Sequence, residues 1–348
     1  MRLLDIYIAK HIWAAVAVVL LVILSLDLMT ALGSELDALG QGASFKQVLT
    51  YIALTVPRRV YEFMPLAVLV GCLVGLGILA NNSELTVMRA AGISLRRIVW
   101  SVMQSVALFV VTAAILGEYV APVSQQMAEI EQAEYKGAAS TKGFWLREED
   151  DYIFVRSVMS DGVLQGVSRY RFDDNNWKQT LVADKGVYKD QQWTLQHIRQ
   201  VSLEGQNIVE KEQEKIPWSV SLKPNLLSIL SMDPKHLAVE DLMQYSQYLD
   251  QSGLDSAPYE LAFWKKMLQP LATLALVFLA ISFIFGSTRS VTLGQRVLVG
   301  VLVGLAFNYA QEVLAPASSV FGFTPLLAYL LPILVCIVGG AWMLRKAG

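Results

Sequence analysis

The sequence has little charge, little cysteine and histidine, and none of the short motifs that mark common chemistries. Only 17% of its 348 residues are Asp, Glu, Lys or Arg, against about 25% in ordinary soluble domains, and the mean hydropathy is +0.45. That composition excludes a typical water-soluble protein. The net charge of −2 says nothing about partners, and no feature of the chain points to nucleic acid. Its two cysteines, Cys72 and Cys336, both fall inside apolar runs. The polar stretch from about 130 to 258 has none, which excludes a disulfide there and leaves an oxidising compartment open. There is no G-x-x-x-x-G-K-[ST] phosphate loop, no H-E-x-x-H and no G-x-S-x-G. His11, His197 and His236 stand far apart, at a membrane edge, in a strand pattern and in a connector. No catalytic residue, metal site or cofactor is therefore expected in this chain, and any directional work would draw its energy from a partner.

What the chain does have is long apolar runs. A span of the ~30 Å hydrocarbon core needs roughly 20 residues, and six candidates meet that length: 12–33, 63–82, 98–121, 267–286, 296–314 and 325–344. The first is too long for the h-region of a cleavable signal and reads as a true span. Basic residues cluster before span one (Arg2, Lys10), between spans two and three (Arg89, Arg96, Arg97), between four and five (Arg289, Arg296) and after six (Arg345, Lys346). The positive-inside rule then places both termini and residues 83–97 in the cytoplasm, with the long polar stretch on the opposite side.

Within that stretch, residues 143–222 alternate apolar and polar residues in short runs, broken by Asp/Gly, Asp-Asp-Asn-Asn and Lys-Asp-Gln-Gln turn signals. The spacing predicts an all-β sandwich or barrel, with Trp145, Trp177, Trp193 and Trp218 suited to half-buried pleated faces. AVEDLMQYSQYLDQSG then reads as a helical connector back to the membrane. The expected organisation is residues 1–129 with three spans, 130–258 with the β insert and its connectors, and 259–348 with three more spans. Such an insert serves either as a lid or as an open sheet edge or groove that recruits another strand.

The turn between spans two and three carries SELTVMRAAGIS (83–94), more than a hairpin needs. Ser83 is placed to cap a short helix, with Glu84 in the first turn where the macrodipole favours a carboxylate. Leu85, Met88 and Ala91–Gly92 form a narrow apolar stripe, and Gly92 is a suitable C-terminal stop. The segment either lies on lipid or docks into a cytoplasmic motor.

SELTVMRAAGIS is similar to the coupling segment of the lipopolysaccharide-export permease family, as are GEYVAP (117–122), FWKKMLQPL (263–271) and SFIFGSTRSVTLGQRV (282–297). LLDIYIAK near the start and GQG at 40–42 resemble its G-type branch more than its F-type branch. The resemblance covers essentially the whole chain. It implies an α-helical membrane protein of six transmembrane helices with an all-β (β-jellyroll) periplasmic domain between helices three and four. It implies a location in the bacterial inner membrane and a heterodimer with an F-type permease paralogue around a V-shaped cavity. A cytoplasmic ATPase dimer, which binds the ATP and Mg, would dock on residues 83–92 through Ser83, Glu84, Leu85, Val87, Met88, Ala91 and Gly92. Lipopolysaccharide would enter between span one of one subunit and span five of the other, then pass to a single-span periplasmic β-jellyroll partner. The competing readings are the F-type paralogue itself, a membrane scaffold that only displays a β domain, and an ion-coupled carrier.

Arg58, Arg59, Lys265 and Lys266 lie at the expected outer ends of spans two and four, against the positive-inside pattern. Either they snorkel or pair locally, as the i+4 spacing of Arg58 and Glu62 allows, or they bind lipid A phosphates, which guanidinium groups match bidentately. Arg58, Arg59, Lys265 and Asp27 form the candidate lipopolysaccharide-binding set. Asp27 lies about 15 residues into span one, roughly 22 Å along a helix, and an intramembrane carboxylate faces a cavity or protein rather than lipid. Leu28, Ala31, Phe307, Asn308 and Gln311 are the candidate gate or cavity lining, with Glu312 adding to the polar end of span five. Where the family carries lysines near the outer end of span one, this chain has Ala31, Glu35, Asp37 and Ala38, which moves phosphate binding toward Arg58 or the partner subunit. The Gly71–Gly75 and Gly300–Gly304 spacings predict close helix packing.

Overall fold

The computed structural model describes residues 2–40, 43–136, 143–148, 151–158, 163–173, 176–189, 192–204, 207–218, 233–251, 253–285 and 293–347. Helices α1 (Arg2–Gly40), α2 (Phe45–Asn81), α3 (Glu84–Ala90), α4 (Leu95–Ile115) and α5 (Ala121–Lys136) come first, with a π-helical turn at Leu116–Val120 joining the last two. Six strands follow: β1 (Phe144–Glu148), β2 (Asp151–Val158), β3 (Leu164–Asp173), β4 (Asn176–Lys189), β5 (Gln192–Glu204) and β6 (Asn207–Trp218). A 3₁₀ turn at Pro234–His236 leads into α6 (Val239–Gln251), α7 (Ala257–Phe285), α8 (Leu293–Phe321) and α9 (Pro325–Ala347). Six helices are long and apolar enough to cross a membrane, and the sheet is inserted between the third and the fourth.

The helices exceed the apolar runs. α1 and α2 have 39 and 37 residues, nearly twice the roughly 20 that a bilayer core requires. Span two is expected from residue 63 because Pro57, Arg58, Arg59 and Glu62 interrupt its apolar pattern. The helix runs through them because both arginines find carboxylates within the same compact unit, as set out below.

The chain forms two compact units. One comprises Met1–Ala31, Val56–Ala121 and Glu260–Gly348; the other comprises Leu32–Thr55 and Pro122–Tyr259. The inserted unit thus takes the end of α1 and the start of α2 as well as the β region, which a division in chain order does not reveal. In the membrane unit, Ile8, Ile12, Val16, Leu69, Leu73, Leu76, Ile98 and Val102 are fully or almost fully buried in one cluster. Glycine sets its tightest contact. A Cβ at Gly71 would lie 2.5 Å from Val16 Cγ2 and 2.6 Å from Val16 Cα, and one at Gly75 would lie 3.0 Å from the His11 carbonyl oxygen. Gly300 and Gly304 receive Leu73 and Leu69 in the same manner. Both expected small-residue spacings are therefore helix-packing seams.

In the second unit all neighbouring strands pair antiparallel in the order β1-β2-β3-β4-β5-β6. The expected all-β insert is thus present, and each described strand is hydrogen-bonded to its neighbours in sequence. Alternation buries Phe144, Leu146, Ile153, Val155, Leu164, Val167, Leu181, Ala183, Trp193, Leu195, Ile198 and Trp218 in one cluster, while Trp145 is exposed. α6 is more than a connector, because its Tyr245 and Leu249 join that cluster. Burial raises the Tyr245 phenol above its ordinary value, as a phenol packed among apolar groups requires. Glu35, in the stretch where the family resemblance leads one to expect lysine, is 5% exposed and accepts a hydrogen bond from Gln132 Nε2 at 2.9 Å. It serves the interior of this unit.

Candidate coupling and substrate site

The coupling segment is short and stiff. Ser83 does not cap α3 with its side chain, contrary to the sequence expectation. Its backbone is left-handed, φ 62°, and the segment's first helical bond runs from the Val87 N–H to the Ser83 carbonyl at 3.0 Å. A left-handed residue here completes the reversal out of α2, and that geometry turns the hydroxyl away from the first-turn amides. Glu84 holds the helix start instead. Tyr7 Oη donates to its Oε2 at 2.8 Å, and Asn82 Nδ2 donates to its Oε1 at 3.3 Å. At the other end Gly92 adopts φ 89°, the Gly92 N–H reaches the Arg89 carbonyl at 3.0 Å and the Ile93 N–H reaches Met88 at 3.1 Å. This double bond pattern is a Schellman stop, so Gly92 ends the helix as expected.

The expected apolar stripe splits. Leu85 is 4% exposed, and Met88 and Ile93 pack with it on the core of the membrane unit. Ala91 and Gly92 remain exposed, as does Val87 at 65%. The surface left for a partner is Val87, Arg89, Ala90, Ala91 and Gly92, with half-buried Glu84 at its edge. Arg89 and Ala90 were missed in the sequence because attention to the apolar stripe hides the face opposite it.

The candidate lipopolysaccharide-binding residues are divided by ion pairs. Arg59 Nη1 pairs with Asp27 Oδ2, linking α2 to α1, with side chains 12% and 24% exposed. Arg58 Nη1 donates to Glu62 Oε1 and Oε2 at 2.8 and 2.9 Å along one face of α2. Asp27, expected to face a cavity, therefore has its charge compensated within the protein, and Arg58 adopts the local i+4 pairing. Lys265 is exposed, and no ion pair to it is found among the described residues. Lys266 Nζ lies 3.3 Å from Glu118 Oε2 and 5.9 Å from the centre of the Tyr61 ring. Glu118 sits in the π-helical turn, where Gly117 lets the backbone close on the Tyr61 ring: any Cβ there would overlap it. Tyr61 and Glu118 were not singled out from the sequence, although the Gly-Glu pair inside an apolar run was the available signal.

The gate residues also divide. Ala31, Phe307 and Gln311 are buried within the protein (8%, 9% and 8% exposed), Leu28 is half-buried, and Asn308 and Glu312 are exposed. Of the six span-length helices, the first and fifth are the least covered. Within the chain, 17% and 22% of their apolar windows are buried, against 67% and 56% for the second and fourth. A helix facing only hydrocarbon would not display Asn308 and Glu312 on its bare side, because an exposed charge in a span calls for water or protein.

Comparison with known proteins converges on the same architecture. The family model of the lipopolysaccharide export system permease LptF/LptG matches residues 6–346. The chain is 32% identical over 351 residues to the lipopolysaccharide export system permease protein LptG of Haemophilus influenzae, covering 99% of this chain and 98% of that protein. It is 32% identical over 352 residues to the protein of the same name from Escherichia coli K12, with the same coverage of each. A match along nearly the whole length, six span-length helices and a sheet inserted between the third and fourth establish that this chain belongs to the lipopolysaccharide export system permease LptF/LptG family.

Proposed function

We propose that this chain is the G-type permease half of an inner-membrane ABC transporter that extracts lipopolysaccharide from the outer leaflet and passes it to a periplasmic bridge. An F-type paralogue covers the bare faces of α1 and α8, a cytoplasmic ATPase dimer supplies ATP hydrolysis with its own Mg, and a single-span β-jellyroll protein receives the substrate beside the β1–β6 sheet. The chain itself carries no catalytic centre or cofactor in this reading. Both termini and α3 lie in the cytoplasm and the sheet lies in the periplasm.

The observation that carries the reading is the combination on spans one and five. They are the least covered helices, and α8 exposes Asn308 and Glu312 on an otherwise apolar surface. A bilayer does not reward that arrangement, whereas a subunit seam that admits an amphiphile with a charged headgroup does. A scaffold that only anchors a sheet has no use for it. Substrate contact falls to Lys265 and to Arg58 when it exchanges Glu62 for a phosphate, since the two acceptors compete for the same guanidinium.

The test is reconstitution of this chain with its F-type partner and ATPase in proteoliposomes, carrying a photocrosslinking residue in place of Leu28 or Asn308. ATP-dependent lipopolysaccharide release with adducts at these two positions is the expected result. Adducts absent from both, with release intact, would move the entry path elsewhere.

A further inference from the structure

The first turns of α1 are gripped by the coupling segment. Tyr7 Oη donates to Glu84 at 2.8 Å at the start of α3, and Arg97 Nη2 donates to Asp5 Oδ2 at 2.5 Å at the start of α4. Both bonds span long stretches of sequence, 77 and 92 residues. The second corrects a local misfit. Arg97 lies in the first turn of α4, where the macrodipole disfavours a cation, whereas Asp5 lies in the first turn of α1, where it favours an anion. His11 Nδ1 is 3.0 Å from the Tyr7 carbonyl oxygen, and its ring packs at 4.5 Å against that of Tyr7, tilted by 57°.

Below these two bonds α1 is locked into the membrane unit. Ile8, Ile12 and Val16 are fully buried beside Leu85 and Ile98; Gly71 admits the α1 backbone to a distance no Cβ would allow, and Gly75 packs tightly on it beside His11 and Ile12. Beyond Val16 the helix becomes bare: Val18, Leu21, Leu26 and Met29 are 61–71% exposed (63%, 65%, 61% and 71%). Alone among the six span-length helices, α1 contains no proline, so nothing in its sequence supplies the usual kink. Gripped at its start, bare on one face through its middle, tied by Asp27 to Arg59 of α2 and without a proline, it can carry a movement along its length as a rod.

We infer that Tyr7 and Asp5 are positioning residues that latch α1 to the coupling segment through Glu84 and Arg97, so that movement of α3 by the motor is delivered to span one. The inference rests on the proposed function and deepens it, because it assigns the path by which a motor stroke reaches the substrate entry. It differs from transmission through the buried core, which would make the two polar bonds dispensable. It also gives Glu84 two roles, at the edge of the partner surface and in the bond to α1, so a partner that pulls on Glu84 pulls on Tyr7.

The experiment uses the full transporter in proteoliposomes and reads complex yield, basal ATP hydrolysis and lipopolysaccharide released per ATP consumed. The variants are Tyr7→Phe, Asp5→Arg, Arg97→Asp and the double variant Asp5→Arg with Arg97→Asp. Allosteric coupling is typically worth about 5- to 150-fold. The charge-reversed single variants should therefore lose at least about five-fold in release per ATP while keeping yield and basal hydrolysis, and Tyr7→Phe should lose less. The exchanged pair should recover most of the loss, an outcome that mere loss of packing would not produce. Unchanged release per ATP in both reversed variants, or a double variant as defective as either single one, overturns the latch. If the reversed chains fail to accumulate, Tyr7→Phe decides alone, since full release per ATP from it overturns the inference. A wild-type complex that retains no ATPase or releases no lipopolysaccharide refutes the underlying reading, whereas normal wild-type release with unaffected latch variants refutes only the latch.

Discussion

Asp27→Asn is the most informative substitution outside the coupling segment. It preserves shape while removing the charge that faces Arg59, whose side chain is only 12% exposed. Removing one member of a buried ion pair costs about 3–5 kcal/mol, because the remaining charge is left uncompensated. Two features lower that figure here. A quarter of the Asp27 side chain is accessible (24%), and the Asn amide oxygen still accepts one hydrogen bond from Arg59, worth about 1 kcal/mol. A loss of about 2 kcal/mol remains, which is roughly thirty-fold in the folded population. Titrating the purified protein with SDS in mixed micelles and following tryptophan fluorescence would measure it. Arg59→Met alone should cost a similar amount, whereas Asp27→Leu with Arg59→Met should return to within about 1 kcal/mol of the parent, as apolar replacements of buried pairs generally do. Asp27→Asn also removes the Asp27 charge from the Arg59 guanidinium. If Arg59 faces substrate, lipopolysaccharide retention should rise in the same variant. A wild-type midpoint for Asp27→Asn, or a double variant no better than the single ones, would refute a structural pair and return Asp27 and Arg59 to the substrate path.

Glu84→Ala should leave the chain folded in the membrane but weaken ATPase co-purification or uncouple hydrolysis from release; normal yield and export would remove α3 as the motor contact. Lys265→Glu should reduce photocrosslinked lipopolysaccharide at least tenfold, since a charge-assisted contact is worth about 1.5–3 kcal/mol and reversal adds repulsion. Arg58→Glu should do the same only if Arg58 leaves Glu62 for the substrate, and equal yields from Arg58→Glu and Glu62→Gln would assign Arg58 to the helix. Tyr245→Ala removes a 4% exposed ring from the sheet core, at a cost of about 3–5 kcal/mol by analogy with buried aromatics. Limited proteolysis of the intact chain should then cut within residues 143–251 while the spans stay protected, and an unchanged pattern would contradict the role of α6 as the cover of the sheet.

The architecture was legible where composition alone decides it. Six apolar runs against a ~30 Å solvent, and period-two alternation between 143 and 218, leave few alternatives. Helix ends were less legible, for a physical reason. A hydropathy reading stops at Arg58, Arg59 and Glu62, but a helix does not stop at charges whose partners lie one turn away or on the next helix. The connector reading of 239–251 was incomplete for a related reason. Leu242, Tyr245 and Leu249 already show helical apolar spacing, yet what Tyr245 and Leu249 face depends on a tertiary surface supplied mainly by the strands.

The candidate site was legible in its chemistry and not in its pairing, and that difference bears on mechanism. Sequence reading assembled Arg58, Arg59 and Lys265, which oppose the expected charge pattern, with Asp27, an intramembrane carboxylate, as one lipopolysaccharide-binding group. Folding assigns two carboxylates, Asp27 and Glu62, to the two arginines, and a third, Glu118, to Lys266. Charges that would be costly in hydrocarbon are thereby stored as pairs. A permease gains from that storage. A paired arginine can sit in the membrane without substrate, and a phosphorylated headgroup can take its guanidinium only by displacing a carboxylate, so affinity stays moderate and release remains possible. Exposed Lys265 needs no such exchange. Under the proposed function a phosphorylated substrate therefore has to outcompete an internal bond at Arg58, whereas the Tyr7–Glu84 bond of the latch has to persist while the motor acts on α3.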